Sequence, residues 1–246
     1  MPPVRIWRLL AVVGVVLAGA LVLPVLPRLM RAIARGVLRC LGIRLRIRGQ
    51  LPDHRALLVA NHVSWVDTLV LLAHGSTRIV AKAEVREWPG IGTIAAALGT
   101  IFIYRGRPRR LPQTVAEVGA ALRAGHVVAA FPEGTTWCGR DEGRFRPALF
   151  QAALDARAPV VPVTLRYPTT AAAFVGDDTL WASLCRILAV RDLTVTVIAA
   201  PALYAEPRTT RRDLARFATA ASPRQHYRDV SRVSDTIHRD SATEEA

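Results

Sequence analysis

From residue 43 onwards, short apolar runs alternate with helix-length segments, and this alternation restricts the fold more than any other feature of the sequence. The apolar runs that we predict to be strands are residues 43–47, 56–60, 78–81, 101–104, 127–131, 160–165 and 193–199. Helix-length segments lie near residues 66–73, 91–98, 112–123, 147–157 and 179–188. Because parallel strands need crossover connections that helices usually provide, we predict an α/β fold with a mostly parallel central sheet of about seven strands flanked by helices.

The composition excludes several classes of protein. Of the 246 residues, 51% are apolar and 21% are charged, which excludes an intrinsically disordered chain. The net charge of +14 indicates an anionic partner: a membrane surface, a nucleic acid or a phosphorylated small molecule. We do not expect nucleic-acid binding, because aromatic residues make up 6% and no RRM, zinc-finger or helix-turn-helix signature is present. The three cysteines are widely spaced, so we expect no metal site.

The N-terminus contains an uncharged apolar segment of 18 residues, 9–26. A helix of that length extends about 27 Å, close to the hydrocarbon thickness of about 30 Å, so we predict a membrane helix. It could span the bilayer or enter one leaflet. The other alternative is a secretory signal with small residues at 18–20.

A basic amphipathic helix is predicted directly after that segment. Its two faces are Arg28, Arg31, Arg35 and Arg39 on one side and Met30, Ile33, Val37 and Leu41 on the other. Such a helix suits anionic lipid headgroups, and the arginines after the apolar segment place the rest of the chain in the cytoplasm. We therefore divide the chain into an anchor with its basic helix (1–42), an α/β domain (43–221) and a polar C-terminal tail (222–246).

A histidine and an aspartate stand where a predicted strand meets a predicted helix. His62 comes at the carboxyl end of strand 56–60, where open α/β sheets bind ligands, and Asp67 follows five residues later. If the helix starts near Ser64, Asp67 lies in its first turn and can accept a hydrogen bond from the imidazole, leaving the other ring nitrogen as a general base. The alternative is that Ser64 and Asp67 form only a capping box.

Further polar groups follow other predicted strands and are expected at the same edge of the sheet. The segment FPEGTT at residues 131–136 combines a glycine with hydroxyls and amides that can bind phosphate or a carbonyl oxygen. Arg105 and Lys82, the lone lysine, each end a strand, and a guanidinium suits phosphate. The alternatives are a plain tight turn and a solvated basic loop.

Four ordered blocks resemble those of the glycerolipid acyltransferase family, whose best-known members are the 1-acylglycerol-3-phosphate acyltransferases. The blocks are NHVSWVD at 61–67, GTIFIYR at 99–105, FPEGT at 131–135 and APVVPVTL at 158–165. Any one block is a weak signal, whereas four in the right order are a strong one. The basic apolar N-terminus is in keeping with the same family.

The resemblance implies a role for each matching residue. His62 would be the general base that takes the proton from the acceptor hydroxyl, with Asp67 orienting it. That hydroxyl would attack the thioester of acyl-CoA or acyl carrier protein directly, without an acyl-enzyme and without a cofactor. The implied acceptor-binding residues are Arg105, Glu133, Gly134, Thr135 and Lys82, and the implied acyl-donor-binding residues are Pro162 and Val163.

The implied function is a membrane enzyme that acylates a lysophospholipid, with 1-acyl-sn-glycerol-3-phosphate as the expected acceptor and phosphatidic acid as product. Thr136 and Trp137 follow FPEGT where members that form phosphatidic acid often carry arginine, so another lysolipid, such as a lyso-aminolipid, stays open as the acceptor. The acyl chain length and the choice between the two donors also stay open. A different class of protein, a non-catalytic binder of anionic membranes, is the second alternative.

Overall fold

A computed structural model describes residues 6–8, 10–15, 29–136, 144–176 and 178–222. Its centre is a seven-stranded sheet, and every predicted strand is present within a residue or two of its expected bounds. The strands are β1 (Arg44–Arg48), β2 (Ala56–Ala60), β3 (Thr77–Lys82), β4 (Ile101–Ile103), β5 (Val127–Ala130), β6 (Val160–Arg166) and β7 (Thr194–Ala199). This confirms the predicted α/β class.

The sheet has the order β1-β7-β6-β2-β5-β3-β4. The strands from β6 to β4 run parallel to one another, whereas β7 pairs antiparallel with β6 and parallel with β1. The sheet is therefore mostly parallel, as predicted, with a reversed pair at one end. The carboxyl ends of β2, β3, β4 and β5 meet at one edge, which positions the residues that follow them side by side.

Seven α-helices flank the sheet in the described residues from 29 to 222. They are α1 (Leu29–Cys40), α2 (Val66–His74), α3 (Ile91–Ala97), α4 (Leu111–Arg123), α5 (Phe150–Ala156), α6 (Leu180–Ala189) and α7 (Arg211–Ala221). The first six confirm the predicted helices. The patterning did not predict α7, because its buried face consists of Leu214 and two alanines, but Thr210 and Asp213 form a capping box at its start.

Two hydrophobic layers cover the two faces of the sheet. Successive residues of β2 alternate between them: Leu58 and Ala60 belong to one, Leu57 and Val59 to the other. Helices α1, α2 and α6 pack on the first face, and α4, α5 and α7 pack on the second. Because both faces of β2 are covered, its burial is complete, which explains its continuous apolar run.

Helix α1 confirms the predicted basic amphipathic helix. Arg31, Arg35 and Arg39 are exposed, while Met30 and Val37 on the opposite side are buried. The buried side packs against α2, and the Nε of Arg35 donates to the carbonyl of Ala73 at 2.9 Å. The apolar side of α1 therefore belongs to the core of the domain, and its arginines are left at the surface.

Most of the predicted membrane helix, 9–26, lies outside the described residues. Residues 10–15 of it are described and are helical, as are residues 6–8 before it. Within the ranges that the structure covers, no helix combines the length and the apolarity needed to cross a bilayer. The membrane helix thus stays a prediction, as do the division at residue 42 and the tail, of which Ser222 alone is described.

Candidate active site

His62 and Asp67 are in direct contact, as their spacing predicts. His62 lies in the loop after β2, and Asp67 lies in the first turn of α2, which begins at Val66. The imidazole Nδ1 is 2.9 Å from Oδ2 of Asp67. The side chain of His62 is 17% exposed, whereas that of Asp67 is completely buried. A short loop followed by a helix turn therefore builds a histidine–carboxylate pair with one member open to the exterior.

The carboxylate of Asp67 has four hydrogen-bond donors around it. Besides the imidazole, Oδ2 accepts from the backbone amides of Val63 at 2.7 Å and Ser64 at 2.9 Å, and Oδ1 accepts from the phenol of Tyr167. A buried carboxylate needs such partners because burial of an uncompensated charge is costly. Asp67 therefore both holds the imidazole and accepts from two amides before α2. The alternative of a capping box alone is not met, because the N-cap of α2 is Trp65 and the amide of Asp67 donates to the carbonyl of Ser64 and not to its hydroxyl.

The contacts of His62 determine which ring nitrogen is basic. An ionised carboxylate can only accept hydrogen bonds, so the pair with Asp67 puts the proton of a neutral imidazole on Nδ1. The other nitrogen, Nε2, is then the atom that can take a proton. The ring also stacks on Phe131, with 4.1 Å between centroids and 18° between planes, which restricts its rotation.

The loop after β5 meets the loop after β2, as the shared sheet edge predicts. The backbone amide of His62 donates to Oε2 of Glu133 at 2.9 Å, and Glu133 is itself buried. Glu133 therefore helps to hold the backbone of the general-base candidate in place. Its implied role in acceptor binding is untested by this contact and stays a prediction.

Gly134 is at the tightest point of that loop. Its φ of +80° lies in the left-handed region that side chains rarely adopt, and a Cβ there would stand 3.2 Å from the guanidinium of Arg146. The amide of Arg146 also donates to the carbonyl of Pro132 at 2.9 Å. The glycine thus permits both the turn and the close approach of an arginine from a later segment.

A cavity of about 1130 Å³ opens beside His62. Most of its lining is apolar and comes from α1, α2, α3 and α6, together with the segments after β3 and β4. Its polar lining includes Lys82, Arg105, Thr135 and Arg146. An apolar cavity with a few convergent charged groups is the form expected of a site for an amphiphilic ligand.

The three cations in the cavity wall form no ion pair with a carboxylate in the described part of the chain. None of the ion pairs among the described residues involves Lys82, Arg105 or Arg146. The Nζ of Lys82 instead lies over the ring of Trp88, 5.5 Å from its centroid. Burial lowers the pKa of Arg105; the charge of Glu84 opposes this shift and the charge of Arg146 adds to it.

The two residues implied in donor binding lie elsewhere. Pro162 and Val163 are buried within β6, next to Val59 and Ala60 of β2, and neither lines the cavity. Val163 is part of the hydrophobic layer beneath α2. They do not lie together with the other site residues, and their implied role in binding the acyl donor stays a prediction.

Two residues of the site were missed by the sequence patterns. Tyr167 donates to Asp67 from a position 100 residues away, and Arg146 approaches Gly134 from beyond the loop. The position of Tyr167 directly after β6 could have indicated it, because β6 runs parallel to β2 and both strands end at the same edge of the sheet. Arg146 follows no strand, so nothing in the local pattern distinguishes it from the many other arginines.

Comparison with known proteins identifies relatives of this chain. A family model described as Acyltransferase matches residues 42–166. The chain is 39% identical over 179 residues to the lyso-ornithine lipid O-acyltransferase of Pseudomonas aeruginosa, covering 70% of this chain and 68% of that protein. It is 37% identical over 172 residues to the 1-acyl-sn-glycerol-3-phosphate acyltransferase of Neisseria meningitidis, covering 67% and 68%.

The fold also matches a solved structure. The crystal structure of the 1-acyl-sn-glycerophosphate acyltransferase PlsC from Thermotoga maritima aligns with a TM-score of 0.60 over 88% of this chain and 90% of that one. At 20% identity this likeness concerns the fold alone. The family model and the sequence relatives show that the chain belongs to the acyltransferase family and is an O-acyltransferase.

Proposed function

We propose that this enzyme transfers a fatty acyl group from acyl-CoA or acyl carrier protein to the free hydroxyl of 1-acyl-sn-glycerol-3-phosphate, giving phosphatidic acid. The observation that carries the proposal is a histidine, backed by a buried carboxylate, in the wall of an apolar cavity that also contains Lys82, Arg105 and Arg146. Apolar lining suits acyl chains, and cations that form no ion pair among the described residues suit a phosphate.

In the proposed reaction, Nε2 of His62 takes the proton of the acceptor hydroxyl as its oxygen attacks the thioester carbon. A C–O bond forms, the C–S bond breaks, and the proton on the imidazolium goes to the leaving thiolate. Asp67 stabilises the imidazolium while it exists, because its carboxylate already accepts from Nδ1. No covalent acyl-enzyme, metal or cofactor takes part.

A second acceptor is favoured by the comparison itself. Relatives named lyso-ornithine lipid O-acyltransferase match this chain as well as those named for glycerol phosphate do. An ornithine headgroup offers a carboxylate to the arginines and an amine to a carboxylate such as that of Glu84, which acts on Arg105 electrostatically. We rank it second because the cavity wall contains three cations that form no ion pair with any described carboxylate.

We further propose that residues 1–42 hold the enzyme at the cytoplasmic face of a membrane, where its lipid substrates are. The described N-terminal residues support this by exposing large apolar side chains: Ile6, Trp7, Leu10 and Val13. Val12, on the other side of that helix, lines the cavity. Membrane phospholipids would cover the exposed side, and the acceptor could then reach the cavity from the bilayer.

A panel of acceptors tests this proposal. Purified full-length enzyme is given radiolabelled acyl-CoA, or acyl carrier protein loaded with the same chain, and one of three acceptors: 1-acyl-sn-glycerol-3-phosphate, lyso-ornithine lipid or monoacylglycerol. We expect labelled phosphatidic acid as the main product. A labelled ornithine lipid without phosphatidic acid would transfer the function to the second acceptor. Vesicle binding without thiol release from any donor would leave the non-catalytic alternative.

A further inference from the structure

Of the two arginines that line the cavity among the described residues, Arg105 belongs to a family block and Arg146 does not. Arg146 follows the FPEGT segment in the chain, yet its guanidinium lies against Gly134 of that segment. A Cβ built on Gly134 would be 3.2 Å from this guanidinium. The hydrogen bond from its amide to Pro132 ties the backbone of both segments together. The approach is therefore built by backbone contacts, and a side chain at residue 134 would obstruct it.

The guanidinium of Arg146 is available to a ligand. Arg146 is exposed at the residue level and lines the cavity, and no carboxylate among the described residues forms an ion pair with it. Arg105 is in the same situation, and the two charges are near enough to repel each other. The charge of Glu84 also acts on Arg105, but no described carboxylate forms an ion pair with either arginine, so the cavity wall keeps positive charge that an anion can neutralise.

The amount of charge decides which anion fits. A phosphate monoester carries about −1.5 to −2 at pH 7, because its second pKa is about 6, whereas a phosphodiester or a carboxylate carries one negative charge. One arginine suffices for a monoanion. A second arginine adds a charge-assisted hydrogen bond that a dianion exploits best, since the two guanidiniums can bind different oxygens of the same group.

We infer that Arg146 is the specificity-determining residue of this enzyme: with Arg105 it forms a two-arginine site that selects a dianionic phosphate monoester over monoanionic headgroups. The inference rests on the proposed function, since it concerns the headgroup of the acceptor in the same cavity. The residue that selects the acceptor headgroup is then an arginine outside the four family blocks. Thr136 also lines the cavity, but it is uncharged and its hydroxyl donates to the carbonyl of Phe174, so it does not supply a second cation.

Binding measurements that do not depend on turnover test the inference. Isothermal titration calorimetry compares hexyl phosphate, a monoester, with hexyl methyl phosphate, a diester of the same chain, on wild type, Arg146→Ala and Arg146→Lys. We expect wild type to bind the monoester about tenfold or more tightly than the diester at about pH 8, by one charge-assisted hydrogen bond. Arg146→Ala should bring that ratio close to one, and Arg146→Lys should retain part of it.

Arg144 provides the matched control. It is an exposed arginine two residues earlier in the same segment, and it does not line the cavity, so Arg144→Ala should keep the wild-type ratio. Lowering the pH to about 5, below the second pKa of the monoester, should shrink the ratio for wild type and leave it unchanged for Arg146→Ala.

The inference is overturned if Arg146→Ala keeps the ratio, if it weakens both ligands equally, or if Arg144→Ala abolishes the ratio as well. A variant that fails to fold is recognised by its melting curve, and the Arg146→Lys comparison then decides. Because the acceptor panel measures products and this experiment measures binding of ligands without a hydroxyl, the proposed function and the role of Arg146 can fail separately.

Discussion

The two sides of His62 differ in how the protein treats charge. On one side, the carboxylate of Asp67 is fully buried and surrounded by donors from the protein itself. On the other side, Arg105 and Arg146 face an open cavity without a paired carboxylate among the described residues. The carboxylate of Asp67, which must keep its geometry during catalysis, already has its hydrogen-bond partners in the protein. The two arginines, which we propose bind the ligand, form their ion pairs only when an anionic ligand is bound.

The largest expected effect is that of removing His62, which tests the side of the site that contains Asp67. His62→Ala should lower kcat by a factor of about 10² to 10⁴, because a positioned general base typically contributes that much. The measurement is the rate of thiol release from acyl-CoA with a lysolipid acceptor, with vesicle binding as a second readout that should not change. His54→Ala is a suitable control, because His54 is an exposed loop histidine paired with Asp53. Full turnover by His62→Ala would contradict the assignment of the general base.

Removing the phenol of Tyr167 should have the next largest effect. Tyr167→Phe leaves one oxygen of a buried carboxylate without its donor, which costs about 1–3 kcal/mol. If that cost appears in the transition state, kcat falls roughly 5- to 150-fold while KM changes little. Steady-state kinetics separates the two constants.

A purely structural role for Tyr167 predicts a different result. Tyr167→Phe would then lower the melting temperature and leave kcat per folded molecule unchanged. Phe150→Leu serves as the comparison, because Phe150 is fully buried in the hydrophobic layer on the other face of the sheet. That variant should lose stability without a specific loss of kcat.

Replacing Arg105 tests the open side and should affect binding more than turnover. We expect Arg105→Ala to raise the KM for 1-acyl-sn-glycerol-3-phosphate about tenfold or more, by loss of one charge-assisted hydrogen bond, with a smaller change in kcat. Monoacylglycerol, which has no phosphate, should be acylated by wild type and variant with similar KM. An unchanged KM for the phosphate acceptor would remove Arg105 from the headgroup site.

How far the sequence predicts this site depends on whether the contacting residues are near or distant in the chain. His62 and Asp67 are five residues apart, so a loop and one helix turn bring them together, and spacing suffices to predict the contact. Glu133 was expected nearby because β2 and β5 end at one edge. Arg146 depends on how a segment after that loop folds back over Gly134, and no periodicity encodes that path.

The fold shows a similar division. Runs such as 56–60 are apolar throughout because both sheet faces are covered, so strand positions can be predicted from the sequence alone. The direction of β1 and β7 cannot, because a strand has the same apolar pattern whichever way it runs. The antiparallel pairing of β7 with β6, and the parallel pairing of β1 with β7, depend on packing across the whole sheet.

The smallest predicted effect concerns the far end of α2, the helix whose first turn carries Asp67. His74 ends that helix, and burial lowers its pKa from the ordinary value of 6.5, with Arg31 and Arg35 adding to the shift and a backbone hydrogen bond to Leu51 and the charge of Asp53 opposing it. Because the folded-state pKa is the lower one, the unfolded chain binds more protons in acid.

The contribution of His74 to stability is therefore complete above about pH 6.5 and is lost as the pH falls below that value and through the folded-state pKa. Chemical denaturation across this range should show the free energy of unfolding falling more steeply for wild type than for His74→Gln, which cannot titrate. Identical slopes would show that His74 is not a source of acid sensitivity. His74→Gln leaves His62 and its partners intact. If kcat still falls in acid in this variant, the fall is due to the catalytic site beside Asp67. If the fall disappears, it was due to the reduced stability of α2.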